Sequence, residues 1–228
     1  MKNLIWIVVG LMIFTSCKTE SSDDIEVSAI YQSYLYFYNK TDNKTVACAQ
    51  YRDGGALGND VILNSPSAVS VNADVLTHQN IGYRLYYHYY TDFPGEVKVG
   101  TFLFTDKYSK KYTNIADLNN LPGIDFPAGL DTIYKNNDFV FTWIGSAVTA
   151  DAAIEFMLSS ADTNFTYYPS PIGATSVTIP QSDLVCFQAG NINLYLNRSR
   201  SDNLQSSTGK GGEIKMEYQV SQVCYIKD

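Results

Sequence analysis

Residues 31–38 read YQSYLYFY. Tyr31, Ser33, Leu35 and Phe37 fall on one side of an extended chain, and Gln32, Tyr34, Tyr36 and Tyr38 on the other. A period of two in a segment this rich in aromatics is the pattern of a β-strand, because successive side chains point to opposite faces of a sheet. The polar run NKTDNK at 39–44 makes a turn, and Val46 to Tyr51 runs back, so the segment reads as a hairpin. Outward from it, Asp53-Gly54-Gly55 and Gly58-Asn59-Asp60 bracket a loop. Short strands follow at 61–63 and 69–75, separated by Ser65-Pro66-Ser67. The most aromatic segment, YRLYYHYYT at 83–91, is expected to be one strand. It would carry Tyr83, Leu85, Tyr87 and Tyr89 on one face and Arg84, Tyr86, His88 and Tyr90 on the other. Pro94-Gly95 turns the chain, Val97 to Thr105 is a strand, and Tyr108 to Asn114 pairs with it across Asp106-Lys107. Asn119 to Gly129 collects Asn, Pro, Gly and Asp without a period, which places a domain boundary there.

The second half repeats the theme. Strands are expected at 138–143 (DFVFTW), 152–158, 165–168, 176–179, 192–196 and 213–226, with a long polar loop at 199–212. The last strand sets Met216, Tyr218, Val220, Cys224 and Ile226 on one face. A helix over Val148 to Ser160 ranks second to a strand there. Six strand signals at this spacing argue for a β-sandwich. The order of elements over 128–228, with Trp143 on an early strand and Ser176 to Pro180 (SVTIP) before Leu184, resembles an immunoglobulin or fibronectin type III module. It departs from the fibronectin pattern in having no Tyr shortly after Leu184. The expected fold class is all-β, with two β-sandwich, Ig-like domains at 28–122 and 123–228.

The N-terminus carries an address. Lys2 is followed by an apolar run from Leu4 to Phe14, then Thr15-Ser16 and Cys17. This is the charged, apolar and small-residue order of an export signal, and the apolar run is too short to span a bilayer. A cysteine in that place resembles the lipobox of bacterial lipoproteins, although Phe14 stands where Leu, Val or Ile is usual. The resemblance implies removal of 1–16, acylation of Cys17 with palmitate-type chains, and a bilayer as partner. Ordinary cleavage near Ser16, leaving Cys17 a thiol, is the alternative. Residues 17–27 (CKTESSDDIEV) are polar and acidic without periodicity, so a flexible tether is expected. Within them Ser22, Asp23, Asp24, Ile25 and Glu26 resemble the surface-export tag of Bacteroidota lipoproteins, which implies the outward side of the outer membrane. A plain acidic linker would leave the protein on the periplasmic side.

Charge and residue types narrow the chemistry. Lys and Arg number 16 against 23 Asp and Glu, a net charge of −7, which becomes −8 once Lys2 leaves with the signal. No basic cluster offers a track for phosphates, which excludes nucleic acid. Beyond Cys17 the cysteines are Cys48, Cys186 and Cys224, so at most one disulfide forms. Cys186–Cys224 is the candidate, and three buried thiols are the preferred state. His78 and His88 are the only histidines. Gly145-Ser146-Ala147 does not complete a nucleophile elbow, and no zinc spacing appears. Thr208 to Gly212 lacks the spacing of a phosphate loop, and Asp53 to Asp60 lacks the ladder of a calcium loop. No cofactor and no metal are expected.

The 18 tyrosines are the feature with functional leverage. Exposed aromatic rings stack on the apolar faces of sugars while their hydroxyls bond sugar hydroxyls. The candidates are Tyr34, Tyr36, Tyr38, Tyr86 and Tyr90, with Tyr167 and Tyr168 beside them. The expected role is a non-catalytic binding or adhesion module at the cell surface, with a glycan or an envelope protein as ligand. A structural accessory subunit of an outer-membrane complex is the alternative. A glycoside hydrolase, which needs two carboxylates across a cleft, ranks third.

Overall fold

A computed structural model describes residues 19–84, 86–169 and 171–228, so the signal segment and Cys17 lie outside the described residues. Fourteen strands carry the architecture: β1 (Ile30–Asn39), β2 (Lys44–Asp53), β3 (Ala68–Val71), β4 (Asp74–Leu76), β5 (His78–Tyr83), β6 (Tyr87–Pro94), β7 (Val99–Thr105), β8 (Lys111–Asp117), β9 (Phe139–Thr142), β10 (Ala153–Ser159), β11 (Asn164–Tyr167), β12 (Ser176–Ile179), β13 (Gly190–Asn203) and β14 (Gly212–Lys227). One large sheet runs β11–β10–β13–β14–β1–β2–β6–β5, with Thr132–Tyr134 added in parallel to the end of β14. The fold is all-β and sandwich-like, with short strands packed over the front of this sheet.

The two halves of the chain share that sheet. β14 is antiparallel to β13 and parallel to β1, from Gly212 beside Gln32 to Gln219 beside Asn39. The boundary near residue 122 therefore separates two covering layers rather than two sheets. Over the first half lies a four-stranded sheet, β8–β7–β3–β4. Over the second lie the β9–β12 pair and the two-residue pairing of Ile124–Asp125 with Ile144–Gly145.

Each covering layer closes a core. The alternation of YQSYLYFY sends Tyr34, Tyr36 and Tyr38 forward with Ala47, Ala49 and Tyr51, against Val69, Phe102, Phe104 and Tyr112. Tyr34 stacks on Phe102 with ring centroids 4.6 Å apart. The small alanines of β2 leave room for these rings, in keeping with close packing. In the second core Ile154, Phe156, Leu158, Ile192, Leu194, Leu196, Cys224 and Ile226 meet Phe141, Trp143, Ile179 and Leu184. Phe141 and Phe156 stack at 4.1 Å. Between the two cores, on the same face, stand Ile154, Arg198 and Tyr218 in one register row. Arg198 is buried without an acidic partner among the described residues, and its Nη2 donates to the carbonyls of Ser146 and Ala147.

Several expectations are corrected. Residues 83–91 do not form one strand: the chain turns between β5 and β6, Tyr86 N–H donates to the Tyr83 carbonyl at 3.2 Å, and Arg84 adopts φ +49°. No Gly or Pro marks this turn, which is why the aromatic alternation hid it. Residues 69–75 are split likewise, at Asn72 and Ala73, both with positive φ. β13 runs on to Asn203, so the polar loop is shorter than expected. Tyr34, Tyr36 and Tyr38 are core residues, exposed by 0%, 0% and 8%, and no ligand reaches them. The three described cysteines are free as expected, but Cys186 is exposed rather than buried, just after the short helix Gln181–Leu184.

The acidic segment 19–27 is not a loose tether. Glu20–Ser21 pairs in parallel with Val61–Ile62, and the buried Ser22 Oγ accepts from Asn64 N–H at 2.9 Å. Ile25 and Val27 enter the first core, and Lys107 Nζ donates to the carbonyls of Asp23 and Ile25 at 3.1 and 2.7 Å. Two apolar residues at alternate positions suffice to hold a segment whose composition reads as solvated. Asp23, Asp24 and Glu26 stay on its exposed side.

Two outcomes test this packing. A Cβ added at Gly100 would sit 2.5 Å from the Tyr36 ring, which cannot swing away because its hydroxyl donates to the Val97 carbonyl at 2.9 Å. Gly100→Ala is expected to cost about 1–3 kcal/mol in chemical denaturation, and an unchanged midpoint would contradict the packing. In the native protein a thiol reagent should label Cys186 and spare Cys48 and Cys224; burial pushes the Cys224 thiol up to about 11. Labelling of all three before unfolding would contradict the second core.

Candidate binding groove

Among the described residues, the back of the large sheet is covered on one half only. Paired residues of neighbouring strands share a face, so Ser33, Leu35 and Phe37 of β1 point back together with Val46 and Cys48 of β2. Tyr83, Tyr87 and Tyr90 fold over them and close a small third core of Leu35, Phe37, Val46 and Cys48. The β5–β6 turn is thus a wall standing on the sheet. Beyond it the sheet lies open. β10 presents Glu155 and Met157, β13 presents Asn193, Tyr195 and Asn197, and β14 presents Lys215, Glu217, Gln219, Ser221 and Val223. Tyr195, Val223 and Tyr225 are exposed, as is Tyr134 on the strand beside β14. Between wall and open face lies a groove of about 360 Å³, lined by Tyr83, Arg84, Glu155, Tyr195, Asn197 and Glu217 among others.

Glu217 forms the groove's floor, and its side chain is only 3% exposed. Its carboxylate accepts from Lys215 Nζ on Oε1 at 2.7 Å, and from Arg84 Nη1 at 2.9 Å and Gln219 Nε2 at 2.8 Å on Oε2. Arg84 also lies over the Phe37 ring, 5.0 Å from its centroid. Burial pushes the Glu217 carboxyl up, but the Arg84 and Lys215 charges outweigh it and hold the group below the usual glutamate range. An ionised carboxylate that already accepts three hydrogen bonds is suited to fixing two cations. It is poorly suited to giving or taking a proton.

Of the residues singled out in the sequence, Tyr86 is 58% exposed at the tip of the wall, while Tyr90 is half-buried against Tyr83 at 5.6 Å. Tyr168 is exposed, its hydroxyl pushed up by the nearby Glu155 carboxylate. Tyr167 donates to Asp183 Oδ2 at 2.7 Å. The structure does not bring these together with Tyr34, Tyr36 and Tyr38: Tyr90 is on the back of the sheet with Cys48, and Tyr167 is on the front but packs against the second core. Asn193, Tyr195, Asn197, Glu217 and Arg84 were missed. For β13 the signal was present: in NINLYLN, 191–197, Asn and Tyr alternate with Ile and Leu, the mark of a strand with one uncovered face.

A second cavity, about 280 Å³, lies near the start of the described chain, lined by Thr19, Asp60, His78 and His88 among others. The two imidazoles stack at 5.3 Å, nearly parallel. His88 Nδ1 lies 3.0 Å from the Gln79 carbonyl, which can only accept, so that nitrogen carries the hydrogen. Burial, then His88, lowers the pKa of His78 against the pull of Asp60. Asp60 Oδ1 accepts from Gln50 Nε2 at 2.6 Å and lies 3.6 Å from Arg52 Nε. Among the described residues no group of three His, Cys, Asp or Glu is arranged to hold a metal ion. Thr208 and Gly209, in the loop that holds Lys210, pack on Ile30 and Ser28 and offer no phosphate cradle.

The depressed Glu217 carboxyl gives a pH test with a definite sign. A lowered folded-state pKa contributes stability that is present above the usual glutamate value of 4.5 and is lost as pH falls through the folded value. Glu217→Gln should therefore cost about 1–3 kcal/mol near neutral pH and flatten the loss of stability below pH 4.5. An acid limb unchanged by the substitution would refute the ion triad. No family model matches this chain and no curated protein matches it, so what the groove does has to be argued from its own chemistry.

Proposed function

We propose that the protein is a non-catalytic, lipid-anchored binding module of the bacterial cell envelope, and that the open back face of its large sheet is a platform for glycans. The observation that carries this reading is the row of Asn193, Tyr195 and Asn197, exposed or half-exposed beside Tyr225 and Val223. Sheet faces left bare in water are normally polar throughout. Here aromatic rings alternate with amides, which is the pairing that sugars require: apolar C–H surface for the ring, and donors and acceptors for the hydroxyls. The lining of Gln219, Ser221 and Asn39 in the adjoining groove extends the same chemistry.

The address rests on the sequence: Lys2, the apolar run, Thr15-Ser16 and Cys17 support acylation at Cys17. Asp23, Asp24 and Glu26, side by side on the exposed edge of an ordered segment, support recognition of that edge by an export system and an outward-facing position. Glycoside hydrolysis has one observation in its favour, since Glu155 and Glu217 line the same groove. It is ranked below binding because the ionised carboxylate of such a pair must reach the sugar or a water, whereas Glu217 is buried and already accepts from Arg84, Lys215 and Gln219.

Tyr195→Ala should leave the melting temperature within a degree or two, since a half-exposed side chain contributes little to the fold, and should abolish binding on a glycan array. Binding that survives this change would dismiss the platform. For the anchor, Cys17→Ser should release the protein from membranes in a fractionation. If the variant still sediments with membranes after a high-salt wash, the lipid is elsewhere.

A further inference from the structure

We propose that the groove between the Arg84 wall and strands β10 and β13 selects a carboxylate-bearing sugar, a uronic acid or its like, with Arg84 and Lys215 meeting the carboxylate. This rests on the glycan reading above and narrows it. Glu217 takes one N–H from Arg84, one from Lys215 and one from Gln219. A guanidinium has five donors and an ammonium three, so both cations retain free donors. Their side chains are 37% and 40% exposed, whereas the carboxylate beneath is 3% exposed. The spare donors therefore face the groove, and one buried negative charge is set against two positive ones. The cluster of Arg84, Lys215 and Glu217 keeps a surplus of one positive charge although the whole chain is acidic.

The two cations are also held in place before any ligand arrives. Arg84 is clamped between the Phe37 ring and Glu217, and Lys215 is fixed by the register of β14 beside Leu35. Ordering cost is thus already met, which is how a small polar site gains affinity and geometric preference. The opposite wall fixes the direction of the ligand. Glu155 stands there beside Tyr168, and its negative charge repels a second carboxylate. A sugar acid is accordingly bound with its carboxylate toward Arg84 and Lys215 and its ring toward Tyr195 and Asn197. The groove volume, at the low end for small-ligand sites, suits a single sugar unit with neighbouring units laid along the open face.

The test uses full-length protein purified in detergent and a matched pair of probes, a tetramer of galacturonic acid and the same tetramer with every carboxyl methyl-esterified. Calorimetric titration should find the acid form bound about tenfold tighter or more. Lys215→Gln, which keeps a donor to Glu217, should remove that preference at an unchanged melting temperature. Arg84→Gln should act in the same direction and Glu155→Gln in the opposite one, tightening the acid form. Equal binding of both probes, lost together with Tyr195→Ala, would overturn the acidic preference and leave the glycan platform standing. Failure of both probes to bind would overturn both. Displacement by inorganic phosphate as effectively as by free galacturonate would show a general anion site and overturn the sugar assignment.

Discussion

Gly212 to Gln219 of β14 run parallel to Gln32 to Asn39 of β1, and the position of nearly every other element follows from that pairing. The N-terminal hairpin brings its own neighbours, β6 and β5; the C-terminal hairpin brings β10 and β11. Only the β1–β14 ladder makes one sheet of them. It joins residues about as far apart in sequence as the chain permits, a costly kind of contact to form and one that slows folding. It also sets β1 at the centre of the sheet, covered in front by the β7 aromatics and behind by the β5–β6 turn. That explains why nearly the whole of YQSYLYFY is buried rather than one face of it.

The period of the sequence was a sound guide wherever a strand had two distinct faces. Ile154, Phe156 and Leu158 point inward as their alternation requires, and no helix forms over 148–160. Val97 to Thr105 appears nearly as read, but its partner starts three residues later than read, at Lys111, because Asp106 Oδ1 accepts from the backbone N–H groups of Tyr108 and Lys110 and makes a longer turn. Period failed where a turn was built from residues that usually prefer strands. YRLYYHYYT has the composition of a central strand, yet it holds the tip of a hairpin, and only tertiary packing on Phe37 and Glu217 fixes Arg84 in a left-handed conformation. Composition failed at 19–27 for the opposite reason, since two apolar residues among acidic ones were enough.

The groove was legible only in pieces. Tyrosine enrichment pointed to binding surfaces, but tyrosine serves equally as a core residue when its hydroxyl finds a partner, as Tyr34 does with Gln32 and Tyr51. What distinguishes Tyr195 from Tyr34 is the other face of the sheet, which one strand's sequence does not reveal. Glu217 could not be singled out either. Its environment depends on Arg84, which is distant in sequence and arrives through the β6–β2–β1–β14 order of strands. A buried carboxylate paired from two sides marks one register among several that an alternating strand would tolerate, since a shift by one residue would bury Lys215 and Glu217 in the aromatic core.

The anchoring of Glu20–Ser21 beside Val61–Ile62 bears on how freely the protein can move in its compartment. An extended chain covers at most about 3.5 Å per residue, so an acyl group on Cys17 would be separated from the folded body by roughly the thickness of a single lipid headgroup layer. A protein held so closely does not sweep out a volume around its anchor. Under the proposed acylation it would ride on the bilayer with restricted tilt, and the stacked His78 and His88, whose cavity includes Thr19, would face the headgroups. Long polymers would then be engaged where they graze the membrane surface, and reach would have to come from the polymer rather than from the protein.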